Sequence, residues 1–258
     1  MTKGICHLTI TPVRAEPSHK SEMVTQLLFG EMIEIIEQQR EWVRILTDFD
    51  GYEGWVDEKQ YLPVSDETFS EIKGGENYLT LDLIHSAKVI CDQGSVPLLI
   101  GSSLPGLKDN TVHFGKRKYN YDGRVKAFSE TSSHEKLAEY ALMYLNCPYL
   151  WGGRTPFGID CSGFTQMVYK LGGRRLRRDA YQQAMEGVTV AFISEAQPGD
   201  LAFFDDEFEN IVHVGMILGE GKIIHSSGRV RIDLIDHQGI FNQHCKSYTH
   251  RLRMIKRI

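Results

Sequence analysis

The feature that most constrains the fold is a predicted helix whose first turn carries a cysteine. From residue 164 to residue 171, apolar side chains recur at i, i+3, i+4 and i+7, which places them on one face of a helix. A pair of glycines follows, and glycine readily takes the left-handed conformation that often ends a helix. Asp160 precedes the helix, where a short polar side chain can cap free N–H groups. Cys161 is therefore predicted to lie in the first turn of a helix that packs by its far face.

The first turn of a helix favours the ionised form of a thiol. Free backbone N–H groups point out of this end, and the helix dipole is positive there, so both lower the pKa of a cysteine. A cysteine at a helix start is more commonly a small buried apolar residue. Gly158 and Gly163 argue against that interpretation for Cys161, because they bring the backbone close on both sides of the thiol.

Length and charge narrow the class of protein. The 258 residues are enough for two or three modest domains or for one large one. The net charge of −5 argues against a general nucleic-acid binder. Residues 174–178 form a local basic run, which we interpret as a solvated loop, or else as arginines that meet a carboxylate substrate. No apolar run reaches the ~20 residues needed to cross a bilayer, so no membrane segment is expected.

The cysteines are odd in number and scattered, unlike a disulfide framework or a CxxC metal site. The first residues lead into a strand pattern without the apolar core of a signal peptide. These observations favour the cytoplasm, and a periplasmic or secreted location is the alternative if a leader has been removed. The cysteines are Cys6, Cys91, Cys147, Cys161 and Cys245.

Short strands separated by turns fill the first half of the chain. Alternating or apolar runs at residues 7–11, 32–36 and 42–46 predict a small barrel. Residues 66–127 form a weaker second copy, which suggests an internal repeat. Near residue 129 the pattern changes to helical spacing.

Two predicted strands, 211–218 and 222–226, flank a Gly-Glu-Gly connection. If these three residues form the hairpin loop, Leu218 pairs with Lys222 and Gly215 pairs with His225. His213 and His225 then face one way as diagonal neighbours, roughly 5–8 Å apart. A bulge or a two-residue turn would change this parity. The remaining histidines show no pairing pattern and are interpreted as surface or core residues: His7, His19, His85, His113, His134, His237, His244 and His250.

Two histidines on one face suit a Cys–His mechanism. One imidazole takes the thiol proton, and the other fixes the tautomer and orientation of the first. The alternative is a Cys-His-His zinc site, since thiolate and imidazole both bind Zn²⁺. It is disfavoured because no fourth cysteine or histidine lies at short ligand spacing. We therefore expect no metal and no cofactor.

Five motifs, PYLWGG, DCSGF, QPGDL, HVG and IHSS, stand in order at residues 148–153, 160–164, 197–201, 213–215 and 224–227. Together they resemble the NlpC-type papain-like cysteine peptidases of bacterial cell walls, and the resemblance covers residues 130–258. It implies that Cys161 is the nucleophile, His213 the base and His225 the orienting group. It also implies an antiparallel sheet with the cysteine helix packed against it.

Residues 27–31, 42–45 and 51–56 resemble bacterial SH3-like domains. The resemblance implies a multidomain fold: two small all-β SH3-like barrels, at residues 1–65 and 66–128, followed by an α+β papain-like, NlpC-type domain at residues 129–258. This arrangement resembles the subgroup that cuts γ-D-glutamyl-diamino-acid bonds in freed muropeptides.

In that subgroup the first SH3-like module supplies an acid and a tyrosine that hold the free N-terminal L-Ala. The resemblance assigns the tyrosine to Tyr52 and the acid to Glu22. Asp160 and Ser162 match residues that contact the Ala amine and the γ-D-Glu carboxylate. Asp179 stands where the family often has an Asp-Ser pair, but alanine follows it here, so one hydroxyl contact is expected to be missing.

The leading hypothesis is a cysteine endopeptidase that acts on L-Ala-γ-D-Glu-diamino acid peptides in cell-wall recycling or turnover. We expect small muropeptides as partners, no nucleic acid, and a monomer. One alternative is a catalytically inactive module that binds wall peptide, which the presence of Cys161, His213 and His225 argues against. Another is a thiol-dependent acyltransferase on the same fold, since only the acceptor differs.

Overall fold

The chain folds into two compact units, residues 1–131 and 132–258. The structure is a computed structural model that describes residues 2–90 and 94–258. Cys91, one of the scattered cysteines, lies outside the described residues. Within the described part, no helix is long and apolar enough to span a bilayer.

The first half of unit 1 is a seven-stranded antiparallel sheet in the order β3-β2-β6-β5-β4-β1-β7. Its inward side chains form an apolar core that includes Val13, Ile33 and Val56. The predicted strands at residues 32–36 and 42–46 are confirmed, whereas the run at 7–11 is wrong in its first part, because the strand there begins only at Ile10. The strands are β1 (Thr2–Ile5), β2 (Ile10–Arg14), β3 (Met23–Leu28), β4 (Met32–Gln39), β5 (Trp42–Thr47), β6 (Glu53–Asp57) and β7 (Leu62–Val64), with a 3-10 turn at Glu58–Gln60.

The second half of unit 1 begins with a helix that the repeat hypothesis did not include. Helix α1 (Asp66–Gly74) is capped by Ser65, whose side chain accepts a hydrogen bond from the backbone N–H of Thr68. This Ser followed by two acidic residues is a capping signal that the sequence already carried. The strands that follow form two antiparallel sheets, β10-β9-β13-β12 and β11-β8-β14. They are β8 (Asn77–Thr80), β9 (Ile84–Ile90), β10 (Ser95–Leu99), β11 (Ser103–Pro105), β12 (Thr111–Phe114), β13 (Arg117–Asn120) and β14 (Val125–Ala127).

A second apolar core, which includes Phe29, contains residues from both halves of unit 1. This side chain, from the turn between β3 and β4, is fully buried, and its ring lies 5.1 Å from that of Phe114 and 5.0 Å from that of Tyr119. The neighbouring Gly30 has φ +78°, and a Cβ there would collide with the carbonyl oxygen of Ser103. Glycine is therefore required at this contact between the two halves.

Phe29→Ala should lower the free energy of unfolding of unit 1 by about 3–5 kcal/mol, because a buried phenylalanine leaves a cavity. Hydrogen exchange at increasing urea is the measurement, and amide groups of β4 and β12 should lose protection together. Ile36→Ala is the control, since Ile36 is 38% exposed and its truncation should cost less than about 1 kcal/mol. Loss of protection in β4 alone would contradict the shared core.

Unit 2 is a sheet that closes on itself, with helices packed against it. The strand order is β17-β23-β18-β19-β20-β21-β22, and β22 also pairs with β23, so that six strands form a ring. The helices are α2 (His134–Leu142), α3 (Cys161–Leu171) and α4 (Ala180–Gln183). The strands are β15 (Arg154–Thr155), β16 (Gly158–Ile159), β17 (Val188–Val190), β18 (Leu201–Asp205), β19 (Ile211–Gly219), β20 (Lys222–Ser227), β21 (Arg229–Ile235), β22 (Gly239–Asn242) and β23 (Ser247–Arg257), with a 3-10 turn at Ile193–Glu195.

Helix α3 is buried on every side. The apolar face predicted from the sequence is confirmed, but all 11 residues of the helix are buried, including polar ones. Gln166 donates from Nε2 to the carbonyl oxygen of Leu176 at 3.0 Å, and Thr165 donates to Oε1 of Gln183 at 2.7 Å. These hydrogen bonds remove the cost of burying polar side chains, so α3 is a central element and not a surface helix.

The hairpin of β19 and β20 has the predicted register at the histidines, but the turn that produces this register is not the predicted three-residue loop. The connection is a two-residue turn in which Glu220 and Gly221 both have positive φ, so Gly219 pairs with Lys222. The predicted Leu218–Lys222 pair is therefore wrong. A bulge between Ile217 and Gly219 restores the parity, and Gly215 pairs with His225 as predicted. The shorter turn and the bulge shift the register in opposite directions, so the pairing at the histidines is the predicted one.

Candidate active site

Cys161 is the first residue of α3, and its thiol is buried. Asp160 caps the helix by accepting a hydrogen bond from the N–H of Gly163 at 2.7 Å. Burial, and then the negative charge of Asp160, raise the pKa of the Cys161 thiol to about 12. Backbone N–H groups of Val214 and Ser162 act in the opposite direction but are outweighed. The N–H groups at the helix start thus favour the thiolate, as the sequence predicted, but burial determines the direction of the shift.

His213 and His225 form a hydrogen-bonded pair next to this helix start. Nε2 of His213 lies 2.8 Å from Nδ1 of His225, and their ring centroids are 5.1 Å apart. The backbone contact between Cys161 and Val214 places the thiol beside the residue that follows His213. The structure thus pairs the two predicted histidines and places the thiol beside β19, the strand that carries His213.

Burial is the main reason that the pKa of His213 lies well below its usual value, and the charges of His250 and His225 add to the effect. A buried neutral imidazole beside a protonated thiol can accept the thiol proton during reaction. The hydrogen bond between His213 and His225 also argues against the zinc alternative, because it engages one nitrogen of each ring. Among residues 2–90 and 94–258, no three His, Cys, Asp or Glu side chains are grouped as metal ligands.

Gly215 makes room for the histidine pair. A Cβ at this position would lie 2.8 Å from Cβ of His225 and 2.8 Å from Cδ1 of Ile223. Real Cβ contacts are never so short, so any other residue here would displace His225 from His213. The requirement for glycine at position 215 therefore comes from His225, the residue with which it pairs.

His250 belongs to the histidine cluster, contrary to its interpretation as an unpaired filler. Its ring stacks on that of His213, with centroids 4.2 Å apart and an interplanar angle of 29°. Burial, and then the charge of His225, lower the pKa of His250 to about 4. The sequence offered little signal, because His250 lies on β23, far along the chain from the hairpin.

Asp233 is a second residue that sequence reasoning missed. Its Oδ2 atom lies 2.9 Å from Nε2 of His225, so a carboxylate stands behind the orienting histidine. Arg231 pairs with His225 across the β20–β21 ladder and contacts the same carboxylate. The alternating pattern of β21 could have placed Asp233 on the histidine side, since it pairs with Ile223.

Arg178 is buried against the start of α3, so for this residue the interpretation as a solvated loop is wrong. Nη2 donates to Oδ2 of Asp160 at 2.6 Å, while Nη1 donates to Oδ1 at 3.1 Å and to Oγ of Ser162 at 2.9 Å. Asp160 also accepts from the N–H of Gly152 at 2.8 Å. The predicted substrate residues Asp160 and Ser162 therefore lie in one buried, charge-paired network.

Asp179 is half-buried and precedes α4, where its backbone N–H donates to Oε1 of Gln182 at 3.2 Å. Gln183, which the sequence did not single out, is buried in the same helix. Its Nε2 donates to the carbonyl oxygen of Ser162 at 3.0 Å and to that of Arg177 at 2.8 Å. Helix α4 thereby holds the first turn of α3 in place.

Tyr52 and Glu22 lie in unit 1. Glu22 is exposed just before β3, and Tyr52 is half-buried just before β6. Arg14 of β2 pairs with Met23 on one side and with Trp55 on the other, so Glu22 and Tyr52 lie at the same end of the first sheet. Their predicted part in substrate binding stays a prediction.

Arg178→Met should lower the free energy of unfolding of unit 2 by about 3–5 kcal/mol, because it leaves Asp160 as a buried unpaired charge. Arg177→Met is the matched control: this neighbouring side chain is exposed, and its loss should stay within about 0.5 kcal/mol. Hydrogen exchange of α3 amide groups at increasing urea measures both. A loss below about 1 kcal/mol for Arg178→Met would show that the ion pair does not hold the helix start.

A thiol at a buried helix start, with a neutral imidazole and a second hydrogen-bonded histidine, is the arrangement of a cysteine peptidase. Comparison with known proteins gives the family. Residues 146–251 match the NlpC/P60 family, and residues 13–60 match the bacterial dipeptidyl-peptidase SH3 domain. The chain belongs to the NlpC/P60 family and is a hydrolase, a peptidase of the cysteine type.

The chain is similar to the gamma-D-glutamyl-L-lysine dipeptidyl-peptidase of Bacillus subtilis (strain 168), with 30% identity over 78% of this chain and 71% of the relative. The enzyme of the same name from Bacillus cereus (strain ATCC 10987 / NRS 248) is 28% identical over 81% and 68%. The crystal structure of an NlpC/P60 family protein from Bacillus cereus ATCC 10987 superposes with a TM-score of 0.85. It covers 99% of both chains at 22% identity, which shows a shared fold.

Proposed function

We propose that this protein hydrolyses the bond between γ-D-Glu and the diamino acid in cell-wall peptides that begin with a free L-Ala, during recycling or turnover of the wall. The observation that carries the proposal is the intact cluster of Cys161, His213 and His225, with a hydrogen bond of 2.8 Å between the histidines. The names of the two Bacillus relatives, which specify a γ-D-glutamyl bond, support the choice of substrate.

The first chemical step is acylation of the thiol. His213 takes the proton of Cys161 as the sulfur attacks the γ-carbonyl carbon of D-Glu, because both groups rest in their neutral forms. Backbone N–H groups at the start of α3, including that of Cys161, stabilise the negative oxygen. The C–N bond then breaks, and His213 donates its proton to the leaving amine of the diamino acid.

Hydrolysis of the thioester completes the cycle. A water molecule enters on the side vacated by the amine and gives a proton to His213 as its oxygen attacks the acyl carbon. The C–S bond breaks, and the proton returns from His213 to the sulfur of Cys161. In this proposal Asp160 and Ser162 contact the Ala amine and the γ-D-Glu carboxylate, and Asp179 contributes to the carboxylate site.

We also propose the finer architecture for both units. Residues 66–128 would be a second SH3-like barrel, which is supported by their antiparallel sheets and by a core that includes Leu98, Val112 and Tyr121. Residues 129–258 would be a papain-like α+β domain, which is supported by the cysteine helix packed on an antiparallel sheet.

Cys161→Ala should abolish hydrolysis of L-Ala-γ-D-Glu-L-Lys, because it removes the nucleophile.

Because the pKa of the thiol is about 12, alkylation of Cys161 by iodoacetamide at pH 7 should depend on His213 as the base. His213→Ala should therefore slow alkylation of Cys161 by at least about 10-fold, measured by peptide mass spectrometry. His237→Ala, at an exposed position of the same unit, is the control. Hydrolysis by Cys161→Ala would sink the proposed mechanism.

Selectivity for a free N-terminus should be about 30- to 1000-fold, since a buried charge-assisted contact to an ammonium group is worth ~2–4 kcal/mol. The measurement compares kcat/KM for L-Ala-γ-D-Glu-L-Lys and its N-acetylated form, with meso-diaminopimelate peptides in parallel. Tyr52→Phe and Glu22→Gln should reduce this ratio and leave alkylation of Cys161 unchanged. Glu16→Gln, another exposed acid of unit 1, is the control. Equal rates on both peptides would refute this selectivity.

A further inference from the structure

Asp233 is a buried carboxylate behind the histidine pair, and the proposed mechanism gives it no part. It lies on β21 and is 7% exposed. Its Oδ2 atom is 2.9 Å from Nε2 of His225. On the other side, Nη2 of Arg231 donates to Oδ1 at 2.8 Å, and the Nε atom lies 2.7 Å from Oδ2. Both oxygens of the carboxylate therefore have fixed partners.

These contacts keep the carboxylate ionised. Burial acts to raise the pKa of Asp233, but the hydrogen bonds from His225 and Arg231 outweigh it and hold the pKa below its usual value. An ionised carboxylate accepts hydrogen bonds and donates none. The short contact therefore requires a proton on Nε2 of His225.

The proton on Nε2 of His225 determines which nitrogen of His213 carries a proton. In the state in which each imidazole carries one proton, Nδ1 of His225 has a lone pair and can only accept. The distance of 2.8 Å to Nε2 of His213 is then a hydrogen bond that His213 donates. The proton of His213 lies on Nε2, and Nδ1 keeps the free lone pair that a base requires.

We propose that Asp233 is a positioning residue that sets the tautomer of His225 and, through it, that of His213. It leaves Nδ1 of His213 unprotonated and able to take the proton of Cys161. The inference rests on the catalytic parts proposed for Cys161 and His213. Asp233 itself touches no reacting atom, and Arg231 holds it in the ionised form.

Asp233→Asn tests the inference, because the amide keeps the size of the side chain but can donate to Nε2 of His225. Donation there moves the proton of His225 to Nδ1 and that of His213 to its own Nδ1, which removes the base. We expect kcat for L-Ala-γ-D-Glu-L-Lys to fall about 10²- to 10⁴-fold, as for a wrong tautomer in a Ser-His-Asp triad, with KM nearly unchanged. Alkylation of Cys161 should slow in parallel.

Asp236→Asn is the matched control, since Asp236 follows the same strand but contacts Tyr248 and not the histidines. It should leave kcat and alkylation unchanged. Arg231→Gln keeps the carboxylate and should reduce kcat by less than about 10-fold, because the tautomer of His225 is retained. A folded Asp233→Asn protein with full kcat would overturn the inference.

The wild-type protein provides a second test, in which variants serve only to assign the signals. Long-range ¹H–¹⁵N spectra of histidine-labelled protein distinguish protonated from unprotonated ring nitrogens, and His213→Gln and His225→Gln assign the signals. We expect protons on Nε2 of both rings, and a proton on Nδ1 of His213 would overturn the inference. This readout involves no substrate. Failure of the inference, seen in the spectra, is therefore distinguishable from failure of the proposed function, seen as hydrolysis by Cys161→Ala.

Discussion

The buried ion pair between Arg178 and Asp160 is the interaction on which the catalytic unit depends. Removing two charges from water costs several kcal/mol per ion, and the bidentate contact of 2.6 and 3.1 Å offsets that cost. The same carboxylate caps α3 through Gly163 and holds the loop at Gly152. One charge pair thus fixes the helix start, the loop before it and the serine beside the thiol. The nucleophile is placed by electrostatics as much as by packing.

The same burial decides how the site can react. It raises the pKa of Cys161 and lowers that of His213, so the resting state is a neutral thiol beside a neutral imidazole. Charge separation then occurs only as the sulfur attacks an electrophile, such as the substrate carbonyl, with His213 in place to take the proton. Such a thiol differs from an exposed thiolate, which reacts with any electrophile that reaches it. Burial therefore provides chemical selectivity at the cost of needing a well-oriented base.

Local patterns predicted the parts of the site that depend on short-range order. The cysteine at the helix start and the cap at Asp160 follow from helix signals, and the facing of His213 and His225 follows from strand alternation. The bulge near Leu218 could not be predicted, because it depends on how the turn at Glu220 closes. His250 and Arg178 were misjudged for a related reason. Their positions are set by tertiary contacts of β23 and of the loop after α3, which leave no periodic signal.

Phe29 has a consequence for how chains of this kind can be assembled. Its ring lies in a core formed largely by residues of the second half of unit 1, including Phe114 and Tyr119. A recombination event near residue 65 would separate the ring from its surroundings, leaving an apolar side chain in water on one product and a void in the other. The two halves are therefore expected to be inherited and exchanged together, as one cooperative module, even though each has its own sheets.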